Sequence, residues 1–435
     1  MKKNRTIYFL LALVCLGLQS CLFQEEDYFD DSSANRATAD VKRCSELLEA
    51  APNGWVMEYY VGKDYSLGGI TLLCKFDGQR VTMASQIAGA DETVSSLYSV
   101  KSEQATMLSF DTYNYLVHYF GQPQGSMADD PNGTLGGDYE FVISDATADR
   151  IELKGKKYGN RIVMKAFSAD QTWKQYLTRI KKVEDDAFFY EYDLRMDGLY
   201  TGQMLRSNYT FIVTYYDEVG KVHQKTVPFM FTTDGMRFHE PVTIDGQTMQ
   251  NFVWKNEEIS FVCTDEGATE VKLAGVYTAG YQSYDYYPGT YQMDFYRLND
   301  ATNQMEVASQ EIQLVKDEDG KSYWLKGLEY DILVTYDKPR GGLSILPQFL
   351  KKVQGGYVYL AMWDLMNDYV LRSSAIGLIS YPTTDGIYLV DNGVWMDEIS
   401  GFIFGVYDSQ DEEASFMGYT DAVAAIRLIK KTIEE

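Results

Sequence analysis

Histidine is scarce in this chain, and its scarcity limits the chemistry that the sequence can support. The 435 residues include three histidines, which are His118, His223 and His239. No two of them lie four residues apart, so the chain lacks the H-E-x-x-H helix of zinc proteases. The cysteines show no paired ribbon spacing either. We therefore expect no metal site and no cofactor.

Motifs for nucleophilic catalysis and for nucleotide binding are also missing. The stretch GLSIL at 342–346 lacks the final glycine of a G-x-S-x-G elbow, and neither a P-loop nor a G-x-G-x-x-G fingerprint occurs. A glycosidase needs only two carboxylates that meet in space, and with 63 acidic residues the sequence does not single out a pair. We predict no catalytic residue, although a hydrolase with paired carboxylates stays an alternative.

Basic residues are in the minority, at 39 against 63 acidic ones, which gives a formal charge of −24. Such a surface is repelled by phosphate backbones, so nucleic acid is excluded as a partner. Three cysteines follow residue 21, and an odd number cannot pair completely. Because each lies in an apolar pattern, we predict that they are free and buried; they are Cys44, Cys74 and Cys263.

Long apolar runs are absent except for Ile7–Leu18, which is shorter than the roughly 20 residues of a membrane-spanning helix. It follows a cationic start and ends just before Cys21, which is typical of a signal peptide over residues 1–20. LQSC at 18–21 resembles the lipobox of bacterial lipoproteins, in which the cysteine carries the lipid that anchors the mature chain to a membrane. A plain secretory signal is the alternative.

Acidic residues dominate the segment that follows Cys21, with QEED at 24–27 and two further aspartates. The segment resembles the export signal that brings Bacteroidetes lipoproteins to the exterior of the outer membrane. It is also what a solvated tether requires, since a highly charged segment of low hydrophobicity does not fold. We predict an outer-membrane protein, lipid-anchored at Cys21 through a tether over residues 21–32 and facing the cell exterior.

The remaining chain predicts a β-dominated α+β fold with two main helices and one short helix. Helical periodicity indicates helices at 33–50, at 112–120 with Asp111 as cap, and at 168–184 with a capping box of Ser168 and Gln171. Short aromatic and β-branched segments separated by Asp-Gly and Asn-Gly turns predict antiparallel sheets of meander or sandwich type. We divide this part of the chain into a domain at 33–166 and a region at 167–435 that is divisible near 300.

Tyrosine is concentrated in YTAGYQSYDYYPGTYQMDFY at 277–296. A tyrosine ring has an apolar face and a polar tip, which suits a partly wet binding surface. The turn at Pro288-Gly289 would present Tyr284, Tyr286 and Tyr287, which we predict as binding residues. Aromatic strands at the face of a sheet are the alternative, since aromatics are ordinary strand residues.

Several segments, in order behind the lipobox and the first helix, resemble a Bacteroidetes lipoprotein family known as domain of unknown function 4302. The resemblance is clearest over residues 18–185. It implies nutrient capture beside SusC-like and SusD-like outer-membrane proteins, and it carries over no catalytic residue. The segments are NGWVMEYYVG (53–62), LSFDTYNYLVHYF (108–120), GGDYEFVI (136–143) and IELKGKKYGNRIVM (151–164).

Three functions therefore remain open. The first is a non-catalytic lipoprotein that binds a glycan or a peptide, or accompanies an uptake complex; it predicts exposed aromatic rings. The second is a hydrolase, which predicts a deep pocket with paired carboxylates. The third is a structural or adhesion component of the cell surface, which predicts a large apolar patch for a protein partner.

Overall fold

The computed structural model describes residues 33–123, 133–217, 219–299, 301–302, 304–411 and 413–431. The predicted signal peptide, Cys21 and the acidic tether lie outside these ranges. Antiparallel strands dominate the described chain, which confirms the predicted β-rich α+β class. Within the described ranges, no helix combines the length and the apolar character needed to span a membrane.

Three α-helices occur in the described chain: α1 (Ser33–Ala50), α2 (Tyr115–His118) and α3 (Trp173–Asp186). The bounds of α1 confirm the prediction. α2 begins later than predicted, because Asn114 rather than Asp111 is its N-cap and accepts a hydrogen bond from the Leu116 N–H.

α3 also begins later than predicted, and the capping box of Ser168 and Gln171 was wrong. Thr172 and Gln175 form the reciprocal pair of hydrogen bonds instead: the Gln175 N–H donates to Thr172 Oγ1, and the Thr172 N–H donates to Gln175 Oε1. The helix then buries Leu177, Ile180 and Val183 on one face.

The first sheet is a closed barrel in which each strand pairs with the next along the chain and the last strand pairs with the first. Its interior is apolar because alternate residues of each strand point inward, as Trp55, Met57 and Tyr59 do. Cys44 of α1 packs into the same core. The strands are β1 (Trp55–Val61), β2 (Gly68–Asp77), β3 (Arg80–Ser85), β4 (Val94–Ser102), β5 (Thr106–Phe110), β6 (Glu140–Ala146), β7 (Arg150–Gly155) and β8 (Arg161–Ala166).

The second sheet is also a closed barrel of sequential strands. Two of its hairpins turn at Asp197-Gly198 and at Asp245-Gly246, where both residues have the positive φ that such a tight turn needs. The strands are β9 (Glu191–Met196), β10 (Leu199–Ser207), β11 (Thr210–Tyr216), β12 (Val222–Phe231), β13 (Gly235–Ile244), β14 (Gln247–Lys255), β15 (Ser260–Cys263) and β16 (Lys272–Val276).

The third sheet carries the site described below. Its long last strand β28 pairs with β17, which closes a ring of strands, and it also pairs with β27, from which β23 and β22 extend the sheet. The short strand β24 pairs with β23. The strands are β17 (Gly289–Asn299), β18 (Gln304–Lys316), β19 (Ser322–Lys326), β20 (Ile332–Asp337), β21 (Gly342–Ile345), β22 (Gln348–Val353), β23 (Gly356–Asp364), β24 (Tyr369–Leu371), β25 (Leu378–Thr383), β26 (Gly386–Asp391), β27 (Gly401–Tyr407) and β28 (Phe416–Lys430).

Two compact units make up the described chain. Among the described residues, the first unit consists of those from Ser33 to Asp185 with those in 207–255 and 261–271. The second unit consists of residues 186–206, 256–260 and those described from Lys272 to Lys431. The domain boundaries drawn from the sequence stay a prediction. Cys44, Cys74 and Cys263 are free and buried, as predicted.

Candidate ligand-binding cleft

A cleft lies on the outer face of the extension of the third sheet, within the second unit. Strands β22, β23, β27 and β28 run side by side there, and the register places Phe349 opposite Tyr359, and Tyr407 opposite Phe416. Residues alternate between the two faces of a strand. While Leu360 points into the core, its neighbour Tyr359 therefore points to the opposite face.

Four aromatic rings form a row across these strands. Ring centroids are 5.4 Å apart between Phe349 and Tyr359, 5.7 Å between Tyr359 and Tyr407, and 5.5 Å between Tyr407 and Phe416. Phe349 and Phe416 are 45% and 44% exposed, whereas Tyr407 is only 4% exposed. The two phenylalanines thus form the lips of the cleft, and Tyr407 lies at its floor.

Glycine at position 405 makes room for this arrangement. A Cβ atom at Gly405 would lie 2.9 Å from Cε2 of Tyr407 and 3.1 Å from Cε2 of Phe416. Both rings therefore lie over the backbone of Gly405, where a larger residue would displace them.

Arg372, the first residue after β24, lies over the two central rings. Its guanidinium carbon is 4.8 Å from the ring centroid of Tyr359 and 4.3 Å from that of Tyr407, which is within cation–π range. Its Nη2 donates a hydrogen bond to the backbone carbonyl of Asp411. Burial raises the pKa of Tyr407, while the nearby charge of Arg372 opposes that rise. Arg372 thus ties the floor of the cleft to the loop between β27 and β28.

The cleft has a volume of about 730 Å³, which falls within the usual range for small-molecule sites. Hydrogen-bonding side chains surround the aromatic row. The amide of Gln348 is held in place by the backbone of Leu333, to whose carbonyl it donates and from whose N–H it accepts. Besides Arg372, the polar residues that line the cleft are Gln348, Ser373, Ser374, Gln410 and Asp411.

This composition is suited to binding. Rings that are partly exposed offer stacking surfaces, and the amide, hydroxyl and carboxylate groups offer donors and acceptors around them. Among the described residues, no group of three or more histidine, cysteine, aspartate or glutamate side chains is placed to hold a metal ion.

The sequence analysis did not predict any residue of this cleft. The signal that could have pointed to it is the alternation of aromatic residues in GYVYL at 356–360.

The three tyrosines predicted as binding residues do not line this cleft. They lie in the segment before β17, and each has a different environment. Tyr287 is fully buried and its hydroxyl donates to the carbonyl of Gly341 at 2.9 Å. Tyr284 donates to the carbonyl of Ser322 at 2.8 Å. Tyr286 is 38% exposed, and the Lys430 ammonium lies 4.9 Å from its ring centroid.

A cluster of tyrosines fills the core of the third sheet beside this segment. Tyr287, Tyr291 and Tyr323 belong to that core. Each buried hydroxyl finds a backbone carbonyl: Tyr291 donates to Tyr287, and Tyr323 donates to Tyr284, both at 2.7 Å. Tyr284 and Tyr287 therefore contribute to the packing of the core. Of the three tyrosines predicted as binding residues, only Tyr286 has an exposed ring. Ligand binding by the three tyrosines stays a prediction.

Comparison with protein families gives two matches along the chain. Residues 25–256 match the family described as Domain of unknown function (DUF4302). Residues 264–397 match a second family, DUF4987, also described as a domain of unknown function. No curated protein matches the chain. The second match contains Phe349, Tyr359 and Arg372 of the cleft, whereas Tyr407 and Phe416 follow its end.

Proposed function

The chain belongs to the DUF4302 family, and from this membership and the cleft we propose that it is a non-catalytic surface lipoprotein that captures a glycan. The observation that carries the proposal is the row of four rings, exposed at both ends and surrounded by hydrogen-bonding side chains. This is the exposed aromatic surface that a binding role requires.

A glycan suits the cleft better than a peptide does. A sugar ring has an apolar face of C–H groups and a rim of hydroxyls, so it needs aromatic faces and polar groups in alternation. Phe349 and Phe416 supply the faces, while Ser373, Gln410 and Asp411 supply the polar groups. A ligand pocket of this kind uses its few polar groups to fix the orientation of the bound molecule.

We propose that the protein is displayed at the cell surface. This part of the proposal is supported by the sequence before the described residues, namely the short apolar run just before Cys21 and the acidic segment after it. A lipid anchor at Cys21 would hold the protein at the outer membrane, facing the cell exterior. SusC-like and SusD-like proteins are the partners proposed for it, in a nutrient-uptake system that receives the captured glycan.

A glycan screen tests the capture. We would express residues 22–435, which omit the lipidated cysteine, and measure binding to a panel of host and dietary glycans with peptides alongside. The Phe349→Ala and Phe416→Ala variants should each weaken a positive signal by about tenfold, since each removes a partly exposed ring on which a sugar can stack, and a few aromatic contacts carry much of the affinity of a site. Tyr381→Ala is the matched control, because Tyr381 is exposed but does not line the cleft.

The outcomes separate the alternatives. A glycan signal that both phenylalanine variants lose, with Tyr381→Ala unchanged, supports capture in the cleft. Loss with Tyr286→Ala instead would move the site to the tyrosine-rich segment. Release of shortened glycans during incubation would contradict the non-catalytic role and indicate a hydrolase. No binding across the whole panel would rule out glycan capture.

A further inference from the structure

Two methionines in the second unit are exposed to an unusual degree. Met366 and Met396 are 84% and 87% exposed, and Met396 is the most exposed large apolar side chain in the described chain. Met366 lies in the turn between β23 and β24, and Met396 lies in the loop between β26 and β27. Neither lines the glycan cleft.

One buried carboxylate ties these two loops together. Asp364 is fully buried, and its Oδ1 accepts hydrogen bonds from the N–H groups of Met366 and Asn367, each at 3.1 Å. Its Oδ2 accepts from Asn367 Nδ2 at 2.9 Å and from Trp395 Nε1 at 3.3 Å. The Asp364 carboxylate therefore binds Met366 itself and Trp395, the neighbour of Met396. These bonds hold the two loops in a defined position relative to each other.

The surface above this anchor is apolar. Tyr369 packs its ring edge-on against Trp395, with centroids 6.0 Å apart, and Tyr369 and Val394 are themselves exposed. We call Met366, Tyr369, Val394 and Met396 the methionine patch. A single exposed apolar residue needs no explanation, but a group of them on two linked loops is typical of an interaction surface.

The rim of the methionine patch is acidic. Asp368, Asp397 and Glu398 are exposed on the same two loops. Over residues 353–426 the sequence contains one basic residue, Arg372, and its guanidinium lies over the cleft rings. A partner that covers the patch must therefore bring positive charge to the rim, since like charges across an interface are strongly unfavourable.

We propose that the methionine patch docks a partner protein through an apolar segment flanked by lysine or arginine. Methionine and tyrosine are enriched at the centre of protein interfaces, and the flexible methionine side chain adapts to the surface that it meets. The acidic rim selects a basic partner and speeds the encounter. The same rim is repelled by anionic lipid headgroups, so a protein fits the patch better than a membrane does. The proposal does not depend on glycan capture, because the two sites have no residue in common.

A designed peptide probes the patch without knowledge of the natural partner. The probe is a helical peptide of leucine and lysine, about 18 residues long, and its matched control has glutamate in place of every lysine. Binding to residues 22–435 would be measured by calorimetry. The Met366→Gln/Met396→Gln variant should weaken binding of the lysine peptide by about tenfold or more, because it removes the apolar centre of the interface. Val219→Gln is the control variant, since Val219 is equally exposed, at 86%, outside the patch.

The rim has its own test. The Asp368→Asn/Asp397→Asn/Glu398→Gln variant should weaken binding and flatten its salt dependence, because the removed charges attract the lysines. Phe416→Ala should leave peptide binding unchanged, which separates a failure here from a failure of glycan capture. The proposal is overturned if the double methionine variant binds the lysine peptide as the parent does. It is equally overturned if vesicles of anionic or zwitterionic lipid bind the patch more tightly than the peptide.

Discussion

The carboxylate of Glu58 accepts a hydrogen bond from the guanidinium of Arg237, 179 residues further along the chain. Glu58 lies on β1 of the first barrel and Arg237 on β13, and both belong to the first unit. Lys165 of β8 reaches the other carboxylate oxygen at 2.7 Å. Burial alone would raise the pKa of Glu58, but the bonds from Arg237 and Lys165 hold it below its usual value. The DUF4302 match covers all three residues.

Replacing Glu58 with glutamine should destabilise the first unit strongly. The Glu58→Gln change leaves the largely buried guanidinium of Arg237 without its counter-charge, which costs about 3–5 kcal/mol in comparable buried pairs. Because the pKa of Glu58 is lowered in the folded state, the carboxylate stabilises the fold above the unfolded pKa of about 4.3. That contribution is lost as the pH falls through the folded pKa. Urea unfolding near neutral and at acidic pH would measure both effects.

Glu152→Gln is the matched control for this experiment. Glu152 also pairs with two basic residues, Arg150 at 3.0 Å and Arg161 at 3.3 Å. These pairs are open to solvent, so their loss should cost at most about 1 kcal/mol. Equal losses in the two variants would mean that the Glu58 pair gains nothing from its burial.

Substituting alanine for two neighbouring tyrosines of the tyrosine-rich segment should change the stability of the fold by very different amounts. Tyr287→Ala should destabilise the fold by about 3–5 kcal/mol, because it empties a fully buried ring position. Tyr287→Phe removes only the hydrogen bond to Gly341 and should cost about 1 kcal/mol. Tyr286→Ala should stay within about 1 kcal/mol of the parent, since its ring is partly exposed. Thermal unfolding of the three variants would check this order, and a similar loss at both positions would refute it.

Local sequence patterns predicted helices and turns of this fold, but they did not predict that its strands close into barrels. The apolar stripe of α1 and the Asp-Gly turns are properties of a few adjacent residues, so sequence reasoning found them. Closure of the first barrel depends on the pairing of β1 with β8, which joins Trp55 to Ala166. No short-range pattern encodes that pairing, because any two apolar strands of similar length satisfy the same periodicity.

The capping box of α3 shows how local signals compete. Ser168 with Gln171 and Thr172 with Gln175 satisfy the same four-residue pattern, and only the second pair forms. The indole of Trp173 donates to the carbonyl of Asn53 at 3.0 Å. This long-range contact fixes the first residue of the helix, so tertiary structure decided between two equal local signals.

The candidate cleft could not be predicted for a related reason. Its residues come from five strands and the segments that connect them, spread from Pro347 to Phe416, and none belongs to an unusual stretch of sequence. The tyrosine-rich segment drew attention through its composition. Composition does not reveal burial, and Tyr287 is buried while the less conspicuous Phe416 is exposed.

The N-cap of α2 offers a direct comparison between the predicted and the observed cap. Asn114 is fully buried, accepts from the Leu116 N–H and donates through Nδ2 to Ser96 Oγ at 3.2 Å. Asn114→Ala should cost about 1–3 kcal/mol, because it removes the cap and leaves buried polar groups unpaired. Asp111→Ala should cost less, since Asp111 is exposed and accepts from Ser109 Oγ. Chemical denaturation of both variants measures the two losses of stability. A larger loss of stability in Asp111→Ala would support Asp111 as the cap, as the sequence predicted.

The three free cysteines should react only slowly with a thiol reagent in the folded protein, and the rate of the reaction should differ with their position. Burial raises the pKa of each thiol, to about 11 for Cys263, so little of the reactive thiolate is present. Cys74 lies on β2 between β1 and β3, and its exposure requires the barrel to open. Cys44 lies on α1, which packs on the barrel core without being one of its strands. We therefore expect α1 to open locally, at a lower cost in free energy than global unfolding.

Residues 22–435 should therefore label slowly with a thiol reagent near neutral pH, first at Cys44 and last at Cys74, and all three thiols should react in guanidinium chloride. The Cys44→Ala variant should lose the fastest phase and keep the slow ones. Rapid labelling of all three thiols in the folded protein would contradict their burial. Labelling of Cys74 as fast as Cys44 would show that α1 and the barrel open together, as one cooperative unit.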